Sequence, residues 1–476
     1  MKEGYIKQSD RKKILLLTDD IRVHSGVAQI GREIILNSTH RYNWCQIAGS
    51  VKHPDKGQVH DISSDMVKET GVEDSYVKLY PVDGYGNEDI LREVIRLENP
   101  DAIFLITDPR YFMWLFGMEE EIRTKIPIVY LNIWDDLPAP QYNEEFYDSC
   151  DALFGISKQT KIINEIVLGD NAKNKILKYV PHGLDTKKFF PLKEETKDFK
   201  DFKKHITKGV EKDFILFFNS RNIRRKSIPD SLAAWKMFID TLSPEEKEKV
   251  LFVLHTDPVS DHGTDLPAVI EYLLGEDDNT VIISNQKLPH QHMNYLYNMA
   301  DGVILISAAE GWGLALTESM LTGTPFIANV VGGMQDQMRF VDNEGNWYTN
   351  SKEIPSNQFG TYKEHGKWAL PVYPQAMGLV GSPITPYIWD SRCDFRDARD
   401  RIIELYNMSK EERKERGNAG REWAIGDEAG FTAAKMGERF IEGVDELFST
   451  WKPRKKFTFS SDTDFKPRVL NHKLEY

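Results

Sequence analysis

Residues 302–318 read GVILISAAEGWGLALTE. The run Gly302–Ser307 is short, apolar and rich in branched residues, which suits a fully buried strand. Gly311 and Gly313 follow and let the backbone come close to a ligand. A helix opens near Leu314, and its free N–H groups and dipole favour an anion at that end. Glu310 in the loop and Glu318 one turn into the helix flank the same place. Two carboxylates beside an anion site suit hydroxyls attached to a phosphate, such as a ribose and a sugar, better than phosphate alone. Taken alone, the stretch also reads as a glycine-rich turn with two solvated glutamates.

The same strand–loop–helix unit recurs outward along the chain. Upstream, Asp213–Asn219 (DFILFFN) is a strand followed by Ser220-Arg221-Asn222-Ile223-Arg224-Arg225-Lys226. Arginine grips phosphate oxygens in a fork and lysine adds a point charge, so this strand end is a candidate phosphate clamp. Further upstream, Lys13–Thr18 (KILLLT) leads through Ser25-Gly26-Val27 into a helical pattern at Val27–Leu36. Strands are also expected at Asn43–Ala48, Tyr76–Tyr80, Asp101–Ile106, Pro127–Leu131, Ala152–Gly155, Ile176–Val180, Val250–His255, Thr280–Ser284 and Thr324–Ala328. Strands alternating with helices imply parallel sheets covered on both faces. Ligands of such sheets bind beyond the carboxyl ends of the strands. That places Asp108, Arg110, Trp134, Asp135 and Asp136 at strand ends too, where each also serves as a plausible helix cap.

Two interruptions divide the pattern. Asp185–Lys212 is charged and reads as a linker or solvated excursion. Asn343–Asp390 is rich in Gly, Pro, Tyr and Trp and reads as an insertion. The expected organisation is an α/β chain of two Rossmann-like doubly wound domains facing a cleft. Residues 1–190 form the first domain. Residues 205–425 form the second, with the insertion at about 343–390. A helix at 426–450 and a basic, aromatic tail at 451–476 follow.

Composition sets the outer bounds. The chain has 476 residues and a formal charge of −13. No stretch approaches the ~20 apolar residues of a membrane span. Three cysteines, Cys45, Cys150 and Cys393, make no disulfide framework and show no metal-ligand spacing. A cytoplasmic location and no metal site are expected. The negative charge disfavours nucleic-acid binding by bulk attraction, although the tail carries seven basic and three acidic residues. G-x-G-x-x-G and Walker-type loops are absent, which disfavours a dinucleotide or NTP site. The Asp462-x-Asp464 pair lies in the tail and reads as chance.

Taken together, these segments resemble the GT-B retaining glycosyltransferases of glycosyltransferase family 4. The carrying motif is E-x7-E, here Glu310 and Glu318. Arg221 and Lys226 match the family's diphosphate-binding pair. Pro181-His182-Gly183-Leu184-Asp185 is similar to its P-N-G-V-D segment, with His182 in place of Asn. The resemblance implies a GT-B fold, with residues 1–190 as the acceptor-side domain and 205–425 as the nucleotide-sugar-binding domain, and transfer of a sugar from a nucleotide diphosphate to an acceptor hydroxyl with retention. It implies catalytic roles for Arg221, Lys226 and Glu310. It implies donor binding by Gly26, Leu288, Gly311, Trp312, Gly313, Leu314 and Glu318, with Glu318 on the ribose. Asp108, Trp134 and Asp135 are acceptor-side candidates. No cofactor is implied beyond the nucleotide-sugar co-substrate. A soluble saccharide or small-molecule acceptor is expected.

One departure concerns the donor. The family often has His-Asp where this chain has Trp134-Asp135. An indole there would fill the space near the distal part of a hexose, which suggests a pentose or, equally, a shifted loop. Two other functions stay in view: a DNA-base glycosyltransferase of the phage type acting on a modified base, and a non-catalytic sugar-nucleotide-binding protein. An epimerase or phosphorylase fits the fold but suits the Glu310/Glu318 context less well.

Overall fold

The computed structural model describes residues 4–193 and 195–455. Its first sheet contains β1 Lys13–Asp19, β2 Asn43–Ser50, β3 His60–Asp61, β4 Val77–Asp83, β5 Ala102–Ile106, β6 Ile128–Asn132, β7 Ala152–Gly155 and β8 Ile176–Tyr179. These lie in the order β3-β4-β2-β1-β5-β6-β7-β8. All pairs are parallel except the short β3 on β4. The second sheet contains β9 Phe214–Asn219, β10 Val250–His255, β11 Val281–Ser284, β12 Gly302–Leu305, β13 Phe326–Asn329 and β14 Ala369–Val372. Its order, β11-β10-β9-β12-β13-β14, is parallel throughout. These are the two Rossmann-like parallel sheets that the alternating pattern implies. Central strands such as β1 and β9 are almost continuous Ile, Leu and Phe and are buried throughout their middles. That is the signature of strands covered by helices on both faces.

The last helix, Ala433–Thr450, returns to the first domain. Phe440 packs among Trp44, Phe104 and Phe154. Gly437 and Gly443 let this helix approach Asn37 and Phe154 closely. Asp445 accepts from Arg41 Nη2 at 2.6 Å and from Tyr42 Oη at 2.7 Å.

The charged stretch 185–212 holds a helix, Lys197–Ile206, capped by Thr196. Phe199 and Phe202 pack on Tyr295 and His292 of the second domain. The segment 343–390 is not loop throughout. It supplies β14 and most of an antiparallel hairpin, β15 Pro374–Ser382 and β16 Thr385–Cys393. The hairpin crosses to the first domain, where Trp389 N donates to Leu137 O at 2.8 Å and Tyr142 Oη to Tyr387 O at 2.8 Å. Of the tail, Trp451 is half-buried and Arg454 pairs with Glu119. Residues 456–476, with Asp462 and Asp464, lie outside the described residues. No described helix is long and apolar enough to cross a membrane.

Candidate functional site

The glycine loop after β12 is held from below. Ala308 N donates to Arg225 O at 2.7 Å, and Arg225 Nη1 donates back to Ala309 O at 2.5 Å. Gly313 precedes the helix Leu314–Thr322 with φ +83°, a backbone setting that favours glycine. Gly332, at φ +49°, lies under the loop, and a Cβ there would sit 1.9 Å from Glu310 O. Trp312, expected to touch the donor, is 2 % exposed and belongs to the core. Its indole donates to Thr317 Oγ1 at 2.9 Å and its ring packs edge-on against Phe431. Its side chain therefore supports the loop from beneath. Leu288 is half-buried against the same core, just before the helix His290–Met299.

Four charged groups meet at this loop. Lys226, on the short turn after β9, forms an ion pair with Glu310, and both side chains are almost fully buried. Arg225 Nη1 reaches Glu310 Oε2 at 3.4 Å, and Arg225 Nε lies 4.0 Å from Asp135 of the first domain. Burial alone would raise the Glu310 pKa, but the two cations outweigh it and hold the carboxylate well below its ordinary range. Burial pushes Lys226 down, against the pull of Glu310. Burial raises Asp135, only partly offset by Arg225. Arg221 is exposed and has no side-chain partner among the described residues. The basic run thus holds two exposed arginines, Arg221 and Arg224, with no side-chain partner among the described residues, and a pre-placed Arg225–Lys226 pair. Sequence reasoning gave the family role to Arg221 and Lys226 and missed Arg225; nothing in the run itself tells which arginine faces the loop.

Glu318 sits in the helix Leu314–Thr322. It accepts hydrogen bonds from Tyr297 Oη and from Asn219 Nδ2, the latter at 3.1 Å. No ion pair reaches it among the described residues, and burial raises its pKa. Tyr297 and Asn219 are a supporting pair that the motif does not reveal.

The first domain closes on this loop at two points. A Cβ on Gly26 would touch Leu314 Cδ1 at 3.4 Å, and one on Gly311 would lie 2.8 Å from Ile133 O. Gly26 opens its helix behind the cap Ser25, whose Oγ accepts from Ala28 N at 3.0 Å. Two helix N-termini, at Gly26 and Leu314, therefore meet across the cleft and favour negative charge together. Asp108 pairs with Arg110, which lies over the Trp134 ring at 5.4 Å from its centroid. Trp134 is buried, donates from Nε1 to Asp136 O at 2.6 Å, and packs against Tyr142. Asp136 is fully buried, and burial raises its pKa far above the ordinary carboxylate value. His182 is buried against Trp312, and burial lowers its pKa to about 3. A cavity bordered by Asn222, Arg224, Gly263 and Arg392 opens beside the basic loop. A groove along the β14 edge, bordered by Lys363, Tyr373 and Arg401, shares no residue with these groups. Among the described residues no group of three or more His, Cys, Asp or Glu is placed to hold a metal ion.

Two facing Rossmann-like sheets with a glycine loop and paired glutamates at the second sheet's carboxyl edge define a GT-B protein. Residues 199–351 match the family model "Glycosyl transferases group 1". Among solved structures, the chain is similar to sucrose-phosphate synthase of Thermosynechococcus elongatus at TM-score 0.66 and 15% identity, covering 92% of this chain and 100% of that one. It is similar to Anabaena HepE in complex with UDP and glucose, at TM-score 0.63 and 14% identity, with coverage of 92% and 100%. It is also similar to the trehalose-6-phosphate protein from E. coli bound with UDP-2-fluoro glucose, at 0.62 and 12%, with coverage of 93% and 100%. At such identities the likeness is one of fold. No curated protein matches the chain significantly.

Proposed function

We propose that this protein transfers a glycosyl group from a nucleotide-diphosphate sugar to an acceptor hydroxyl, with retention of anomeric configuration. The observation that carries this reading is the buried Lys226–Glu310 ion pair with the half-exposed Arg225 beside it, at the mouth of the Leu314 helix, opposite Gly26. The bond from C1 to the diphosphate oxygen breaks, and a bond from C1 to the acceptor oxygen forms. The departing phosphate oxygen takes the acceptor's proton, so no separate protein base is assigned. Negative charge grows on the diphosphate as it leaves. Lys226, Arg225 and Arg221, with the amides at the two helix N-termini, are the groups that stabilise it. A preorganised donor of this kind is worth about 3–4 kcal/mol. Side-chain cations supply the neutralisation, and no step is routed through a metal. Glu318 receives the ribose hydroxyls in place of Tyr297 and Asn219. Glu310 receives sugar hydroxyls and steadies the positive charge at C1. Contact between the domains excludes water, the competing acceptor.

The donor sugar is a separate matter. The Trp134 indole is engaged by Asp136, Tyr142 and Arg110 inside the first domain. This arrangement favours a shifted loop over a donor pocket shortened for a pentose. The test is incubation with UDP-, GDP- and ADP-linked hexoses and with UDP-xylose. Nucleoside diphosphate release and the product's anomeric proton are followed by NMR. Acceptor-dependent release with retained configuration supports the reading; inverted product removes the retaining mechanism. No release from any donor revives the non-catalytic alternative.

A further inference from the structure

The carboxyl edge of the first sheet carries a second cluster that the donor chemistry does not use. Asp19 ends β1, and its two oxygens accept from hydroxyls only, Tyr85 Oη at 2.6 Å and Ser25 Oγ at 2.5 Å. No ion pair reaches Asp19 among the described residues. Tyr85 follows β4 and lies in a space that glycine makes: a Cβ on Gly49 of β2 would sit 2.5 Å from Gly84 O and 2.9 Å from the Tyr85 ring. Tyr111, after β5, packs on Tyr85 with ring centroids 4.9 Å apart, yet is 57 % exposed. Met113 and Val23 are exposed nearby in sequence to Tyr111 and Asp19. Between β5 and Tyr111, Thr107 holds φ +106°, a strained setting for a β-branched residue. Tyr130 Oη pins it by donating to Thr107 O at 3.0 Å. Strain of this kind persists where surrounding structure over-determines it, and clusters at ligand sites.

We propose that Tyr111 and Asp19 form an acceptor subsite for an uncharged saccharide, Tyr111 as the stacking platform and Asp19 as the acceptor of its hydroxyl protons. The proposal rests on the glycosyl-transfer reading and names its acceptor class. A pyranose presents one face of C–H bonds and a rim of hydroxyls. An exposed tyrosine ring fits the face, as aromatic surfaces do for apolar groups with a polar edge. A carboxylate held by hydroxyls can exchange those partners for sugar hydroxyls without breaking an ion pair. The location is right for transfer: Ser25, bound to Asp19, directly precedes Gly26, which meets Leu314 beside the donor loop. The charge is informative too. Asp19 has no ion-pair partner among the described residues, and the arginines that follow β1 and β5 at this edge are committed, Arg22 to Asp20 and Arg110 to Asp108. A phosphorylated sugar or a nucleic acid would bring its charge against Asp19, so a neutral acceptor is favoured.

Saturation-transfer NMR on the full chain tests this without requiring turnover. The probes are glucose, sucrose, maltose, glucose 6-phosphate and a single-stranded DNA oligonucleotide. At least one neutral sugar is expected to show transfer to its ring C–H protons. Tyr111→Ala should raise its Kd by about tenfold, the scale of one lost aromatic contact. Tyr111→Phe, which keeps the ring, should restore it, and Asp19→Asn should weaken it as well. Because Tyr111 is exposed, its replacement leaves the fold, which thermal melting checks. The proposal is overturned if no neutral sugar binds, if Tyr111→Ala binds like wild type, or if glucose 6-phosphate or DNA binds more tightly than every neutral sugar. Sugar binding that depends on Tyr111, with no nucleotide release from any donor, keeps the subsite and removes the transfer reading.

Discussion

Glu310→Gln removes the one carboxylate that holds both the buried Lys226 and the half-exposed Arg225. In its absence Lys226 faces Arg225 with no compensating charge closer than Asp135, 4.0 Å from Arg225 Nε. Removing one partner of a buried ion pair costs about 3–5 kcal/mol, and the upper part of that range is expected here. Lys226→Met is milder, because Arg225 still reaches Glu310 at 3.4 Å; about 2 kcal/mol is expected on the scale of a lost charged hydrogen bond. The double variant leaves only Arg225 charged, near Asp135, and should be more stable than Glu310→Gln alone. The coupling energy of the cycle should then exceed about 2 kcal/mol, within the range measured for residues in contact. Urea unfolding followed by tryptophan emission reads the midpoints of all four proteins. Additive effects, with a coupling below about 0.5 kcal/mol, would refute the buried cluster.

Three further outcomes follow from the geometry. Asp336 caps the helix Lys158–Leu168 across the domain boundary, accepting from Lys158 N at 2.9 Å, and burial raises its pKa to about 6. The native state thus holds a proton that the unfolded chain has lost between pH ~4 and 6, so stability should fall as pH rises through that window, by up to about 3 kcal/mol. Melting curves of wild type against Asp336→Asn test it, the variant losing that slope. Gly332→Ala places a methyl 1.9 Å from Glu310 O at a positive φ, so the glycine loop should be displaced and the melting temperature should fall sharply; a wild-type melting temperature contradicts this. Glu318→Gln keeps the Tyr297 and Asn219 contacts in shape but should weaken nucleoside diphosphate binding about tenfold, the scale of one charged hydrogen bond. Titration calorimetry measures that loss.

Much of the fold is legible because buried parallel strands are spelled out in continuous apolar runs, as in Lys13–Thr18 and Asp213–Asn219. Elements whose apolar content is small escape this signal. The helix Lys197–Ile206 buries Phe199 and little else among lysines and aspartates. In the hairpin β15 is largely exposed and β16 mostly half-buried, so no clean alternation marks it. Within the site, Glu310, Glu318 and Lys226 stand out through motif spacing. Arg225 does not, because a run of basic residues carries no record of which side chain faces inward. Trp312 misleads for the related reason that its place in the motif says nothing of the direction of its ring. Asp19 with Tyr85, and Lys158 with Asp336, are partners far apart in the chain. Only the folding of the sheets brings them together.

The most direct measurement is calorimetric titration of UDP, GDP and ADP into wild type, Lys226→Met, Arg225→Met and a control, Lys363→Ala, in the unrelated β14 groove. The account predicts saturable binding of at least one nucleoside diphosphate to wild type and to the control. Affinity should fall at least about tenfold in each of the other two variants, as loss of a charge-assisted contact requires. Binding of equal strength in all four proteins, or no binding to wild type, would contradict it.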